Sequence, residues 1–256
     1  MELNKIYNMD CLEGMKMLDD TSIDMILADL PYGTTQNKWD SIIPLDKLWI
    51  QYERIIKENG AIVLTAQTPF DKVLGSSNLK WLKYEWIWKK PNGTGHLNAK
   101  KMPLKNHENV LVFYKKLPTY NPQLTEGKPY IAVYSTHSSN YGKQKDNVKT
   151  ENDGFRYPLS VQEFKYDKEK HHPTQKPVEL FEYLIKTYTN ENEIILDNCI
   201  GSGTTAVACL KTNRKWIGFE ISQEYVNTAL KRIGKFNKKY YEQLPDEEKP
   251  AKLQLF

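Results

Sequence analysis

The sequence predicts an α/β fold in which helices cover a parallel sheet, and three observations lead there. Short apolar runs alternate with segments of helical periodicity. One run, Ile194-Ile195-Leu196-Asp197, enters a Gly-x-Gly turn at Gly201-Ser202-Gly203 that opens a helical segment. Another, residues 23–28, stops at Asp29 before the turn-forming Leu30-Pro31-Tyr32-Gly33. A chain of 256 residues can build one large domain, or one domain with an insert, and bury a substantial core.

In chain order, Ile6-Tyr7 is a short apolar run, and Cys11 to Leu18 reads as a helix. Residues 23–28 form a buried strand. Leu45, Leu48, Trp49, Tyr52 and Ile56 recur at three- and four-residue spacing, so 45–57 is an amphipathic helix ended by Asn59-Gly60. Residues 61–65 are a strand, Pro69 opens a short helix, and 81–89 and 109–115 are two further strands. Residues 1–115 thus make a first half. Between about 116 and 170 the periodicity fades and Tyr, Asn, Ser, Lys and Gly accumulate, which marks a functional insertion or a mobile segment. Alternation returns over 171–236 as helix 177–189, strand 193–197, helix 204–213, strand 215–219 and helix 222–236. Residues 237–256 are a polar, loosely held tail.

Composition narrows the class. The chain carries 39% hydrophobic residues with 16 Tyr, 8 Phe and 6 Trp, enough bulky material to exclude disorder. A formal charge of +4 permits a nucleic-acid partner without requiring one. Cys11, Cys199 and Cys209 have neither zinc spacing nor an even count, so we expect a reduced, cytoplasmic protein. No apolar run is long enough to span a bilayer, and no metal is called for.

Four constellations carry chemistry. At Asp197-Asn198-Cys199-Ile200-Gly201-Ser202-Gly203-Thr204-Thr205, glycines let the backbone approach a ligand, and the free N–H groups of the following helix favour an anion. Glu220 closes the next strand, where a carboxylate accepts hydrogen bonds from ribose hydroxyls. The third glycine of the dinucleotide pattern is absent, with Ala206 near its place, so a smaller nucleoside fits better than a nicotinamide cofactor. Asp29-Leu30-Pro31-Tyr32 lies at a strand's carboxyl end, where open α/β sheets bind ligands. Its carboxylate and backbone carbonyl can take both protons of an amino group, and its ring offers a stacking surface. Read singly, the segment is more readily an Asp-x-Pro turn, since Asp, Pro and Gly are turn residues in any case. His172-Pro173-Thr174-Gln175-Lys176-Pro177 leads into a helix with proline in its first turn. Asp10, before Cys11, is by itself a helix N-cap.

Together these pieces resemble the amino-DNA methyltransferases of the β arrangement, in which an Asp-Pro-Pro-Tyr motif precedes the glycine-rich cofactor motif. Asp29–Tyr32 matches the first, and Asp197–Thr205 looks like the second. His172–Pro177 matches the segment before the cofactor strand, and Glu220 and Asp10 match the acids for ribose and for the adenine amino group of the cofactor. The resemblance covers nearly the whole chain outside 116–170. It implies a Rossmann-like, circularly permuted S-adenosylmethionine-dependent fold with an inserted target-recognition region. It further implies transfer of methyl to N6 of a flipped-out adenine in double-stranded DNA. Asp29, Leu30, Pro31 and Tyr32 would form the catalytic site. Asp10, Cys11, Lys176, Asp197, Gly201, Gly203, Thr204, Thr205 and Glu220 would hold the cofactor. Cytosine-N4 methylation and a non-catalytic DNA- or nucleotide-binding module are the alternatives, and a homodimer and a cognate restriction endonuclease are the further partners considered. Leu30 replaces the motif's first proline, and Asn198-Cys199 replace its Pro-Phe.

For DNA, Gln36 and Asn37 offer base-edge readers and Lys38 a phosphate contact, while Trp39 equally packs its loop down. Lys89, Lys90, Lys100, Lys101 and Lys105, with Asn92, Gly93 and His96 among them, resemble a phosphate-tracking loop. Lys143, Lys145, Lys149 and Arg156 lie within the expected recognition segment.

Overall fold

In the computed structural model, residues 1–33, 41–134, 148–169, 171, 174–237 and 242 are described. The chain begins β1 (Lys5–Asn8), α1 (Cys11–Lys16), β2 (Ile23–Asp29), α2 (Leu45–Ile55), β3 (Ile56–Ala66) and α3 (Phe70–Ser77). It continues through β4 (Leu82–Thr94), a 3₁₀ turn at His96–Asn98 and β5 (Lys105–Phe113). Four short strands follow: β6 (Thr125–Glu126), β7 (Tyr130–Tyr134), β8 (Val148–Asn152) and β9 (Phe155–Arg156). The last part holds β10 (Val161–Glu163), α4 (Val178–Tyr188), β11 (Ile194–Asp197), α5 (Thr204–Lys211), β12 (Lys215–Glu220) and α6 (Gln223–Phe236).

Eight strands make one sheet in the order β1-β12-β11-β2-β3-β5-β4-β10. The first five are mutually parallel. β5 runs antiparallel between β3 and β4, so the sheet is mixed where the sequence suggested parallel strands throughout. The cause is local: β4 turns back directly through residues 95–104 without a crossover helix, and such a return can only be antiparallel.

Strand alternation divides the core between two faces. Met25 and Leu27 of β2, with Ala61 and Val63 of β3, join the cluster under α4, α5 and α6. Ile26, Ala28, Ile62 and Leu64 point the other way, into the cluster under α1, α2 and α3. Helix α2 buries Leu48, Trp49, Tyr52 and Ile55, one stripe at helical spacing. Each such large apolar side chain contributes about 1.5–3 kcal/mol when fully buried. The helix ends at Ile55, and Ile56 to Gly60 already belong to β3, five residues ahead of the expected strand start.

Residues Pro122–Leu159 form a separate compact unit. It consists of two antiparallel ladders, β6 with β9 and β7 with β8. Arg156 ties this unit together: its guanidinium lies 4.7 Å over the Tyr130 ring and donates to the Phe155 carbonyl at 3.0 Å, to Asn152 and to the Lys128 carbonyl. Lys149 pairs with Glu151. Lys143 and Lys145 lie outside the described residues. Among the described residues, no helix is long and apolar enough to cross a membrane.

Helix α1 packs so closely on β12 that a β-carbon at Gly14 would lie 2.6 Å from Phe219 Cδ1. Phe219 is fully buried and cannot retreat into solvent. Gly14→Ala is therefore expected to destabilise the fold by about 1–3 kcal/mol, the usual cost of overpacking. Urea denaturation at equilibrium measures it, and an unchanged midpoint would show that this packing is slack.

Candidate functional site

Four adjacent parallel strands, β1, β12, β11 and β2, end on the same edge of the sheet and deliver acidic groups there. Asp29 is the last residue of β2, Asp197 of β11 and Glu220 of β12, while Asp10 follows β1. The connections from β2 and from β11 leave in opposite directions across the sheet, which opens a crevice between those two strands. A cavity of about 260 Å³ occupies this edge. Asp10, Cys11, Asp29, Leu30, Pro31, Tyr32, Lys176, Asp197, Gly201, Thr204 and Glu220 all line it, so these expected site residues share one space.

At the end of the cavity formed by β1, β11 and β12, Asp10 caps α1 by accepting from Leu12 N at 2.9 Å and Glu13 N at 3.2 Å. Glu220 accepts from Gly201 N at 3.0 Å and Ser222 N at 2.8 Å, binding the glycine turn to the end of β12. Burial pushes its carboxyl above the usual range. Gly201 adopts φ +50°, and a β-carbon there would meet only Cys199 O at 3.9 Å. Open space beside a backbone turn, ringed by acceptors, fits a nucleoside with a ribose and an amino group. Gly203 and Thr205 are not among the residues lining the cavity. Gly203, at φ +81°, would press a β-carbon to 3.0 Å from Ala229 Cβ on α6, and the Thr205 hydroxyl donates to Asp197 Oδ2. They shape the turn from behind.

Two departures from the family motif acquire partners. The Leu30 side chain is buried in the core under α1, α2 and α3. Asn198, also buried, accepts from the Tyr52 hydroxyl at 2.5 Å across 146 residues of chain. Asn198 Nδ2 donates to Cys199 Sγ at 3.5 Å, and the influence of the neighbouring Cys11 thiol, with burial, pushes the Cys199 thiol well above the usual range.

At the end of the cavity formed by β2, Asp29 Oδ1 accepts from the Tyr32 hydroxyl at 2.6 Å and from Thr65 Oγ1 at 2.5 Å. Its Oδ2 accepts from Lys176 Nζ at 2.6 Å. The Lys176 ammonium also lies 3.2 Å from Glu108 Oε2 and 5.5 Å from the Tyr32 ring centroid. Glu108 Oε1 is 2.5 Å from Lys90 Nζ. Burial by itself would lower Lys176, but Asp29 and Glu108 outweigh it and raise its pKa, so the cation is secure. Tyr32 stacks on Phe70 with ring centroids 5.3 Å apart.

Sequence inspection missed Glu108, Thr65, Tyr52 and Arg232. Buried Arg232 on α6 donates to Ser202 O at 3.2 Å, Thr204 Oγ1 at 2.9 Å and Asp167 Oδ2 at 2.9 Å, gripping the glycine turn. In sequence it is one more basic residue of an amphipathic helix. Lys90 is a correction. It is buried and paired with Glu108, not a phosphate contact, because its place in β4 turns it inward. Lys89 pairs with Glu163 at 2.5 Å. Lys100 and Lys101 are exposed beyond the 3₁₀ turn, and Lys105 donates to Gln67 Oε1 at 3.4 Å and Thr68 O at 3.2 Å. Gln36, Asn37, Lys38 and Trp39, like His172 and Pro173, lie outside the described residues.

Burial raises the Asp197 carboxyl from 3.8 to about 7, against the lowering effect of its bonds from Thr205 and Cys199 N. In that window the folded chain holds a proton that the unfolded chain releases. The stabilisation is complete below the unfolded pKa and lost as pH rises through about 7. Asp197→Asn removes this titration, so stability should fall less between pH 4 and 8 in the variant than in the wild type. The difference has an upper bound of about 4 kcal/mol, at about 1.4 kcal/mol per pKa unit. Denaturation curves across that range decide it, and parallel pH dependences would refute the assignment.

Comparison with known proteins agrees with this geometry. The family model described as DNA methylase, of the N6/N4 type, matches residues 23–231. Type II methyltransferase M1.MboII of Moraxella bovis is 27% identical over 256 residues, covering 90% of this chain and 96% of its own. DNA adenine methyltransferase YhdJ of Escherichia coli (strain K12) is 26% identical over 249 residues, covering 91% and 83%. The crystal structure of an M1.HpyAVI–SAM complex superposes with a TM-score of 0.60 at 28% identity, over 89% of this chain and 98% of that one. The PvuII DNA methyltransferase, cytosine-N4-specific, shares the fold with a TM-score of 0.62 at 17% identity, over 88% and 84%. The chain therefore belongs to the DNA methylase family, as an S-adenosylmethionine-dependent DNA methyltransferase.

Proposed function

We propose that the enzyme methylates N6 of an adenine flipped out of duplex DNA, with Asp29 as the acceptor that activates the amino group. The observation that carries this reading is the placement of Asp29, a quarter exposed, in the same cavity as the glycine turn. An exocyclic amino nitrogen is a poor nucleophile because its lone pair is delocalised into the ring. Acceptors on its protons draw it towards a tetrahedral shape and localise that pair. S-adenosylmethionine supplies an electrophilic methyl group on a sulfonium. The nitrogen lone pair forms the new N–C bond as the C–S bond breaks and its electrons remain on sulfur; one amino proton then passes to water. Asp29 and the Leu30 carbonyl orient the amine, and Tyr32 supports the base. A base inside a duplex is out of reach of such a pocket, so extrusion is required. Adenine is favoured by Asp at position 29, since cytosine-N4 enzymes of this arrangement more often carry Ser there. The relative YhdJ bears the name of an adenine methyltransferase.

Asp29→Ala should lower methyl transfer to genomic DNA by about three orders of magnitude while S-adenosylmethionine binding survives, because the acceptor acts mainly in the transition state. Turnover within about threefold of wild type would remove Asp29 from the chemistry. Nucleoside analysis of the product identifies the base, and N4-methylcytosine in place of N6-methyladenine would overturn the adenine assignment.

DNA-binding side chains divide into two kinds in this reading. Neutralising exposed Lys100 and Lys101 should weaken binding to cognate and scrambled duplexes alike. The slope of log affinity against log salt should shrink by about 0.9 for each phosphate that is no longer neutralised. Exchanging 122–159 should instead change which sites are methylated. A wild-type salt slope in the lysine variant would mean that these side chains form only a solvated face.

A further inference from the structure

The Lys176 ammonium occupies the position from which a base amino group would donate to Asp29. It lies 2.6 Å from Asp29 Oδ2 and close to the Tyr32 ring, in a side chain only 4% exposed. Asp29 Oδ1 is already taken by Tyr32 and Thr65. A substrate amine that uses Asp29 must therefore compete with a buried cation. If that cation stays buried when Asp29 turns to the base, it needs another counter-charge, because a desolvated charge is stable only when paired.

A second seat is present. Glu108 Oε2 is buried, lies 3.2 Å from the same ammonium, and completes no hydrogen bond there. Its other oxygen is fixed by Lys90, which is itself buried. The fixed carboxylate is thus a rigid acceptor aimed at Lys176 from β5. We propose that Glu108 is a positioning residue that receives the Lys176 ammonium when the target base enters, leaving Asp29 Oδ2 to accept from the base amino group. The four charges, Lys90, Glu108, Lys176 and Asp29, sum to zero in either arrangement, so the shift moves no net charge into the core. Only the ammonium turns; no bond is made or broken. Lys176 keeps Asp29 neutralised while the pocket lacks a base, and Glu108 frees it.

The inference rests on the reading of Asp29 as acceptor, and the two are separable by experiment. Methyl transfer from labelled S-adenosylmethionine to unmethylated bacterial genomic DNA is measured for each variant, with cofactor affinity by calorimetry. Glu108→Gln removes the charged seat and leaves Lys176 on Asp29. Turnover should fall by about tenfold or more, with cofactor affinity within about twofold. Adding Lys176→Met to that variant removes the competing cation, and turnover should recover by about threefold or more over Glu108→Gln alone. A purely structural role would move folding stability together with turnover, since Glu108→Gln leaves two buried lysines against Asp29 alone and Lys176→Met restores neutrality. Urea midpoints are therefore measured for each variant, and a loss and recovery of turnover that only track the midpoints overturn the proposal. Should Glu108→Gln fail to bind the cofactor, Glu108→Asp carries the test: it keeps the charge but withdraws it by one methylene, and the same loss and the same rescue are expected. Wild-type turnover in the Glu108 variant, or no recovery in the double variant, overturns the proposal. If Asp29→Ala also keeps its turnover, the acceptor reading falls with it; if Asp29→Ala is inactive, only the role of Glu108 is overturned.

Discussion

The ion pair between Lys176 and Asp29 joins two parts of the chain separated by 147 residues. Asp29 ends β2, in the first half of the sequence, and Lys176 stands two residues before α4, which leads into the glycine turn after β11. Burying the pair carries a desolvation penalty, so its presence says little about net stability. Losing one partner would strand the other charge, a change that typically costs about 3–5 kcal/mol. The two halves are therefore held in one register by a pairing that neither can abandon alone. Glu108 and Lys90 extend the same arrangement to β5 and β4.

Around that pair the sheet does most of the positioning. Parallel strands with their carboxyl ends on one edge bring together acids that are far apart in sequence. The opposite directions of chain travel from β2 and β11 open the crevice between them. Motif order along the chain is immaterial to this result. The Asp29 segment, which precedes the glycine turn in the chain, reaches the same edge because each is fixed by its own strand.

The departures from the family motif show how a local change is absorbed. Leu30 gives up the rigidity of a proline but fills the core beneath the site. Asn198 introduces a polar group into a fully enclosed position, and the Tyr52 hydroxyl satisfies it from α2. Without that partner the buried amide oxygen would carry a desolvation penalty of about 1–3 kcal/mol. The glycine turn is braced similarly, by Arg232 on one side and Glu220 on the other.

Much of this protein was legible in its residues. Apolar periodicity placed α2, α4, α5, α6, β2, β11 and β12 to within a few residues, since the pattern of burial is written locally in strands and helices. Asp29, Gly201 and Glu220 were recognisable because each ends a strand or forms a turn, and such positions have strong local signatures. Long-range side-chain contacts have none. Lys90 sits in a run of lysines that reads as a basic surface, and only its register in β4 turns it inward to Glu108. Tyr52 and Arg232 look like ordinary members of amphipathic helices until packing brings Asn198 and Ser202 to them. The sequence by itself determined the fold class, the edge of the sheet and the chemical type of the site, because these follow from periodicity and from turn-forming residues. Tertiary structure alone decided which charges share the cavity and which partner each one takes, because a buried charge is governed by whatever the folded chain places within a few ångströms of it.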